Sequence, residues 1–325
     1  MSARVLVGTC SWADKSLIDS GRFYPRKTMA SADRLAFYAG RFRFVEVDSS
    51  YYAVPAPEMV RGWAAATPPN FVFDIKAYGL LTQHPVQPQT LPPSVRGLAP
   101  PARGRVTFAG APQELRDAVW DAFRTAVAPL AEAGKLGVLV FQFPPWFQRD
   151  AGHQRYLGHV AENAAPHRVA VEFRNHTWLE DPDTQRETFA LLRDHGLCYV
   201  AVDEPQGFPS SLPPVLEATG PVAVVRLHGR NRATWERSGP TASDRFDYSY
   251  TAEELGEWVP RVEGLAEAGI EVHMSMNTNK ADQGPVNAQL LLSLLHHHLP
   301  AAGPGAPPPT ALRDEPPQGQ LPLFG

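Results

Sequence analysis

The stretch VAVEFRNHTW, Val169–Trp178, carries the pattern that decides the fold. It opens on apolar residues of the kind that fill a buried strand. Along one parity it reads Ala170, Glu172, Arg174, so a small residue gives way to charge as the strand ends. Side chains of one parity share a face of the strand. A strand that is apolar inside and ionisable only at its C-terminal end is what a (β/α)₈ barrel presents beneath its functional mouth.

Seven other β-branched or aromatic runs flank this one: Arg4–Gly8, Phe44–Asp48, Phe71–Lys76, Leu136–Phe143, Cys198–Asp203, Val222–Leu227 and Ile270–Met276, with Arg168–Phe173 as the fifth of eight. Amphipathic stretches separate them, among them Ala32–Ala39, Gln113–Ala133, Asp183–His195, Ala252–Ala268 and Val286–Leu299. This alternation predicts an α/β chain folded as one (β/α)8 TIM barrel over residues 1–300. An open doubly wound sheet is the alternative, but no GxGxxG or P-loop follows any strand to support its nucleotide-binding forms. Residues His84 to Gln113 are rich in Pro and Gly and are expected to loop over the mouth. Residues 301–325 contain seven Pro and four Gly and predict a disordered C-terminal tail.

The 325 residues are 43% hydrophobic and 20% charged, enough for a sizeable core. A net charge of -4 gives no global attraction to nucleic acid or anionic membrane, so phosphate binding would need a local patch. The two cysteines, Cys10 and Cys198, lie in separate apolar runs without CxxC spacing. That argues against a disulfide scaffold, an iron–sulfur cluster or a thiolate zinc site. No apolar run approaches the ~20 residues that span a bilayer, and a cytoplasmic location is expected.

The inward parity at the strand ends collects Glu46, Lys76, Gln142, Glu172 with Arg174, Asp203, Arg226 with His228, and Asn277. Two residues before most of these stands an apolar or small residue: Phe44, Val140, Ala170, Ala201, Val224 or Ser275. Asp74 before Lys76 breaks the rule. Any single pair, such as Glu172 with Arg174 or Asp203 with Arg226, can be read as structural charge closing the core. Seven strands agreeing point to a pocket, because burying so many charges is costly.

Lys76, Arg174 and Arg226 suit phosphate or carboxylate, with Gln142 and Asn277 as further substrate contacts. Glu46, Glu172 and Asp203 suit general acid–base work, and His228 a proton shuttle near neutral pH. Glu46, Glu172, Asp203 and His228 also form a conceivable divalent-metal set, although three interleaved cations oppose one and no cofactor is clearly encoded. Cys10 reads as a packed thiol more readily than as a nucleophile. Aromatic residues crowd the same loops, of which Trp12, Tyr51 and Trp178, together with His84, are the expected substrate contacts.

The chain resembles the YecE-like family, a TIM-barrel group of unknown function. The matching blocks include GTCSW at Gly8–Trp12, VEVDSSYYAVP at Val45–Pro55, FVFDIKA at Phe71–Ala77, VLVFQFPPWF at Val138–Phe147 and VAVEFRNHTW at Val169–Trp178. Others are VAVD at Val200–Asp203, VRLHGR at Val225–Arg230 and VNAQLL at Val286–Leu291. They span residues 5 to about 299. Many relatives carry Arg-His after the fifth-strand glutamate and Asn-Asn at strand eight, where this chain has Arg174-Asn175-His176 and Asn277-Thr278-Asn279. The family barrel loosely resembles apurinic endonucleases and xylose-isomerase-like barrels, which implies nucleic-acid or sugar substrates.

The leading expectation is an enzyme acting on a phosphate-bearing substrate, including damaged or single-stranded DNA, by phosphodiesterase- or endonuclease-like hydrolysis. Glycoside or sugar chemistry and a non-catalytic nucleotide or nucleic-acid module are the alternatives. The tail ends in QLPLF, and Gln320, Leu321, Leu323 and Phe324 resemble the bacterial sliding-clamp-binding motif, with Pro322 departing from it. The clamp is therefore an expected partner.

Overall fold

The computed structural model describes residues 3–100, 104–236 and 245–298. The expected disordered tail and its QLPLF motif lie outside the described residues.

Eight short, β-branched segments form the strands β1 Val5–Thr9, β2 Phe44–Val47, β3 Val72–Lys76, β4 Leu136–Gln142, β5 Val169–Glu172, β6 Cys198–Asp203, β7 Val222–Leu227 and β8 Glu271–Met276. All pair in parallel, each with its sequence neighbour from β2 to β8, and β8 pairs with β1. The strands are buried on both faces, which explains their nearly continuous apolar character. The remaining seam, β1 against β2, is spanned by a side chain. The Tyr38 hydroxyl accepts the Thr9 N–H at 2.9 Å and donates to the Phe44 carbonyl at 3.0 Å. A Cβ on Gly8 would come within 2.1 Å of that carbonyl, so only glycine lets the two strands meet. The result is the (β/α)8 barrel expected from the sequence.

The helices follow their local signals. Asp181 caps Pro182–Asp194 by accepting the Asp183 and Thr184 N–H groups, and Asp150 caps Ala151–Ala164 through His153. The single helix expected at Ala252–Ala268 is two, Ala252–Gly256 and Val259–Glu267. Pro260 at the start of the second lacks the N–H needed to continue the first. The segment after β3 also departs from expectation. His84 stays near the mouth, but Phe108 packs on Tyr156 and His159 of helix Ala151–Ala164, at 5.2 and 5.9 Å between ring centroids. An apolar ring gains more by covering the helix layer than by capping a polar opening, so the later half of this segment covers the barrel wall.

Inside the barrel, Leu6, Phe44 and Val72 form an apolar floor. The next inward positions are ionic. Asp74 lies 2.9 Å from Nδ1 of His273, whose Nε2 lies 3.0 Å from Glu271, and Glu271 pairs with Arg4 at 2.6 Å. With both ring nitrogens facing carboxylates, His273 is an imidazolium. Burial disfavours that charge, but Asp74 and Glu271 outweigh it and raise the pKa to about 9. Gly137 makes this arrangement possible, since a Cβ there would sit 2.2 Å from Asp74 Oδ1.

Candidate functional site

One turn further toward the C-terminal ends, a second ionic cluster centres on Arg226 of β7, which is fully buried. Its Nε and Nη2 grip Glu46 of β2 at 2.8 and 2.7 Å, a bidentate fork. Its Nη1 donates to Glu172 at the end of β5 and, at 3.3 Å, to Gln142 at the end of β4. Ser275 of β8 donates to Glu46 at 3.1 Å, and the Cys10 sulfur lies 3.6 Å from Nη2. Burial opposes ionisation of both partners, yet each stabilises the other. Glu172 and Glu46 hold Arg226 well above its ordinary pKa, while Arg226 and His228 hold Glu172 well below the usual carboxylate range.

His228 follows β7 and is buried between Glu172, 3.1 Å from Nε2, and Asn277, whose amide donates to Nδ1 at 2.8 Å. That pattern fixes the Nε2–H tautomer of a neutral ring. Burial lowers its pKa to about 4 despite Glu172. The expectation of a shuttle near neutral pH is therefore corrected: His228 is a fixed hydrogen-bond donor.

Arg174, which follows β5, divides Nη1 between Glu172 at 3.2 Å and Glu204 at 3.0 Å, and its guanidinium lies 4.5 Å over Trp235. Glu204 is buried, accepts the Leu212 N–H at 2.8 Å, and is pushed by burial to about 8 with Arg174 opposing.

Several expected roles need correction. Strand parity puts Asp203 inward, but Val202 pairs in register with the inward Arg226, and Asp203 pairs with Leu227 on the outer face. There Asp203 accepts from Arg230, Tyr250 and Trp258, at 2.7, 2.9 and 2.9 Å. Alternation brings Glu204 inward in its place. Arg226 cannot offer its fork to a phosphate, because Nε, Nη1 and Nη2 are all committed to protein acceptors. Trp178 is fully buried, stacked on Phe173 and hydrogen-bonded to the Phe147 carbonyl at 2.7 Å. Trp12 packs edge-on against Trp63 and Phe73. Neither tryptophan presents a face to a substrate. Cys10 is buried, and burial pushes its thiol pKa up, as a packed thiol requires. Glu46 and Glu172 have Arg226 between them and Asp203 faces outward. Among the described residues no three His, Cys, Asp or Glu side chains are placed to hold a metal ion.

Two side chains at the mouth lack such hydrogen-bond or ion-pair partners among the described residues. Lys76, the last residue of β3, is partly buried. Its ammonium lies 5.0 Å over the Tyr51 ring, and no hydrogen bond or ion pair to it exists among the described residues. Burial and Arg226 lower its pKa, against Glu46, Glu172 and Asp48. Asp48 is a site residue that sequence reasoning missed. It follows Glu46 by two positions, so extending the same parity by one step would have found it. Its carboxyl likewise has no hydrogen bond or ion pair among the described residues, and burial raises it to about 7, opposed by Lys76. Beside them Tyr51 touches Tyr52, His84 touches Tyr51, and Trp146 touches His84, at centroid distances of 5.0, 5.1 and 5.8 Å. Tyr52 and Trp146 are the exposed ends of this aromatic strip. His84 is held by Thr82 at 2.9 Å, and burial with Lys76 lowers it to about 4, so it is a neutral ring in the strip.

Residues 6–311 match the model of the family described as a protein of unknown function, DUF72. The chain is 30% identical over 295 residues to the UPF0759 protein YunF of Bacillus subtilis, covering 90% of this chain and 94% of that protein. A DUF72 family protein of Enterococcus faecalis has the same fold, with a TM-score of 0.73 and 24% identity over 90% of this chain and 95% of its own. A DUF72 family protein of Thermotoga maritima gives 0.70 and 28%, covering 90% of this chain and 99% of its own. No helix among the described residues is long and apolar enough to cross a membrane. The barrel, the ordered blocks along its strands and these relatives together show that the chain belongs to the DUF72 family, close to the YecE-like group its motifs resemble.

Proposed function

We propose that this barrel is an enzyme that binds a phosphate-bearing substrate at its C-terminal mouth, with a flat ring of that substrate on the aromatic strip. The observation that carries the reading is the Lys76 ammonium, placed in the mouth without a hydrogen-bonding partner among the described residues. Glu46 and Glu172 are both turned to Arg226, which leaves the Lys76 ammonium without a paired carboxylate among the described residues. Arg174 is the second phosphate contact, since among the described residues Nη1 alone of its nitrogens donates a hydrogen bond. Tyr51, His84 and Trp146 suit a base or a sugar ring, so the substrate class is a nucleotide, a nucleic-acid end or a sugar phosphate. Glycoside hydrolysis by Glu46 and Glu172 is disfavoured, because both carboxylates are bound to Arg226 and neither is free to act as acid.

The test is thermal unfolding of the full chain with inorganic phosphate, ribose 5-phosphate and a short single-stranded oligonucleotide. A ligand present at a hundredfold its Kd should stabilise by about 2.7 kcal/mol, and Lys76→Met should remove the effect. The oligonucleotide's contribution should fall steeply with salt. No stabilisation by any of the three, or equal stabilisation of the variant, refutes the reading. A ligand bound without turnover supports the non-catalytic module instead.

The clamp partnership is a separate part of the proposal. It rests on Gln320, Leu321, Leu323 and Phe324 in a Pro- and Gly-rich segment. A peptide of residues 313–325 should bind the bacterial clamp with roughly micromolar affinity, since a short segment must be ordered on binding. Alanine at Leu323 and Phe324 should abolish that binding; binding indifferent to the change removes the link to replication or repair.

A further inference from the structure

We infer that the Lys76 amine is a nucleophile toward an aldehyde or ketone group of the substrate, with Asp48 as the acid and base that moves the protons. This deepens the anion-binding reading and rests on it for the choice of substrate class. Among the described residues, the other charged groups at the strand ends are held by neighbours: Glu46 and Glu172 by Arg226, Arg174 by Glu172 and Glu204, and His228 by Glu172 and Asn277. Lys76 and Asp48 stand at the ends of adjacent strands and influence each other electrostatically, yet no ion pair joins them.

The surroundings suit an amine that must be neutral to react. Burial and the neighbouring Arg226 guanidinium disfavour the ammonium, the two devices that activate lysine nucleophiles. The chain's other lysines are differently placed. Of the five, Lys135 donates to the Ala64 and Thr67 carbonyls, Lys280 pairs with Asp247, Lys27 donates to the Asp19 carbonyl, and Lys15 is exposed.

The step balances without an external oxidant or reductant. The neutral amine adds to the carbonyl carbon, the C–N bond forming as the C=O π bond breaks, and Asp48 in its acid form protonates the oxygen. The Asp48 carboxylate then takes a proton from nitrogen and returns it to the hydroxyl. The C–O bond breaks with loss of one water, leaving a protonated imine beside ionised Asp48. Amine, carbonyl and acid become iminium, water and carboxylate.

The experiment traps that iminium on the full chain with sodium cyanoborohydride, using glycolaldehyde as a neutral probe and dihydroxyacetone phosphate as an anionic one. The secondary amine is located by peptide mass spectrometry. Lys76 should be labelled ahead of the other four lysines and faster than free Nα-acetyl-lysine, since a lowered pKa leaves more free base at neutral pH. Asp48→Asn should slow that labelling on the order of ten- to a hundredfold, while inorganic phosphate still stabilises the variant. Label spread over Lys15 and Lys27, or Lys76 reacting no faster than the free amine, overturns the inference. Selective labelling by glycolaldehyde with no advantage for the phosphorylated probe preserves the nucleophile and refutes the anion site. Phosphate stabilisation without selective labelling does the reverse.

Discussion

Two buried ionic clusters share this barrel, and they differ in one respect. In the lower one, Asp74, His273, Glu271 and Arg4 form a closed chain in which each member meets a partner of opposite charge. The upper one is equally closed around Arg226, but Lys76 and Asp48 stand beside it with no side-chain hydrogen bond or ion pair among the described residues. Buried charge alone therefore does not mark a site. Charge that the fold has paired is architecture; an ionisable group at the mouth that the fold leaves unpaired is available for chemistry.

The sharpest way to break this contrast is to remove the hub of the upper cluster. Arg226→Met should cost about 3–5 kcal/mol, because Glu46 and Glu172 are then buried without their counter-charge. Chemical denaturation measures the loss, and a variant as stable as the parent would mean that the carboxylates do not depend on Arg226. Next in size is the pH response of the lower cluster. His273 has its pKa raised to about 9, so its contribution to stability is fully present below the ordinary histidine value of 6.5 and is lost as pH rises through about 9. The loss is on the order of 3 kcal/mol at most, because a tenfold change in proton affinity is worth about 1.4 kcal/mol. The melting temperature should fall between pH 7 and 10, and the fall should flatten in Asp74→Asn; an unchanged slope would show that the pair does not hold the proton. The smallest effect on stability belongs to Lys76→Met, within about 1 kcal/mol of the parent because no paired charge is broken. The same change should abolish stabilisation by phosphate. A large stability loss would place Lys76 with the architecture and erase the distinction.

Reading strand by strand located most of the upper cluster because parallel barrel strands have a period of two and end at a common rim. Glu46, Lys76, Gln142, Glu172 and Arg226 follow from that rule and do converge. The rule fails at Asp203-Glu204, where two adjacent acids leave the parity of the strand undecided and a one-residue slip exchanges inside for outside. The separate expectation that loop aromatics contact the substrate fails for Trp12 and Trp178. A tryptophan near a strand end fills a gap in the helix layer as readily as it lines a mouth, and nothing local distinguishes the two.

The barrel was legible along the chain, since eight buried strands separated by helical stretches have few other ways to hide their apolar faces. Also legible was the gathering of charge at one end of that barrel. Which charges neutralise one another is settled by folding, because pairing joins residues such as Glu46 and Arg226 that are 180 positions apart. Their meeting depends on strand register and side-chain reach, which no local pattern encodes. That Lys76 and Asp48 stand unpaired among the described residues is visible only once the charges around Arg226 have been matched in space.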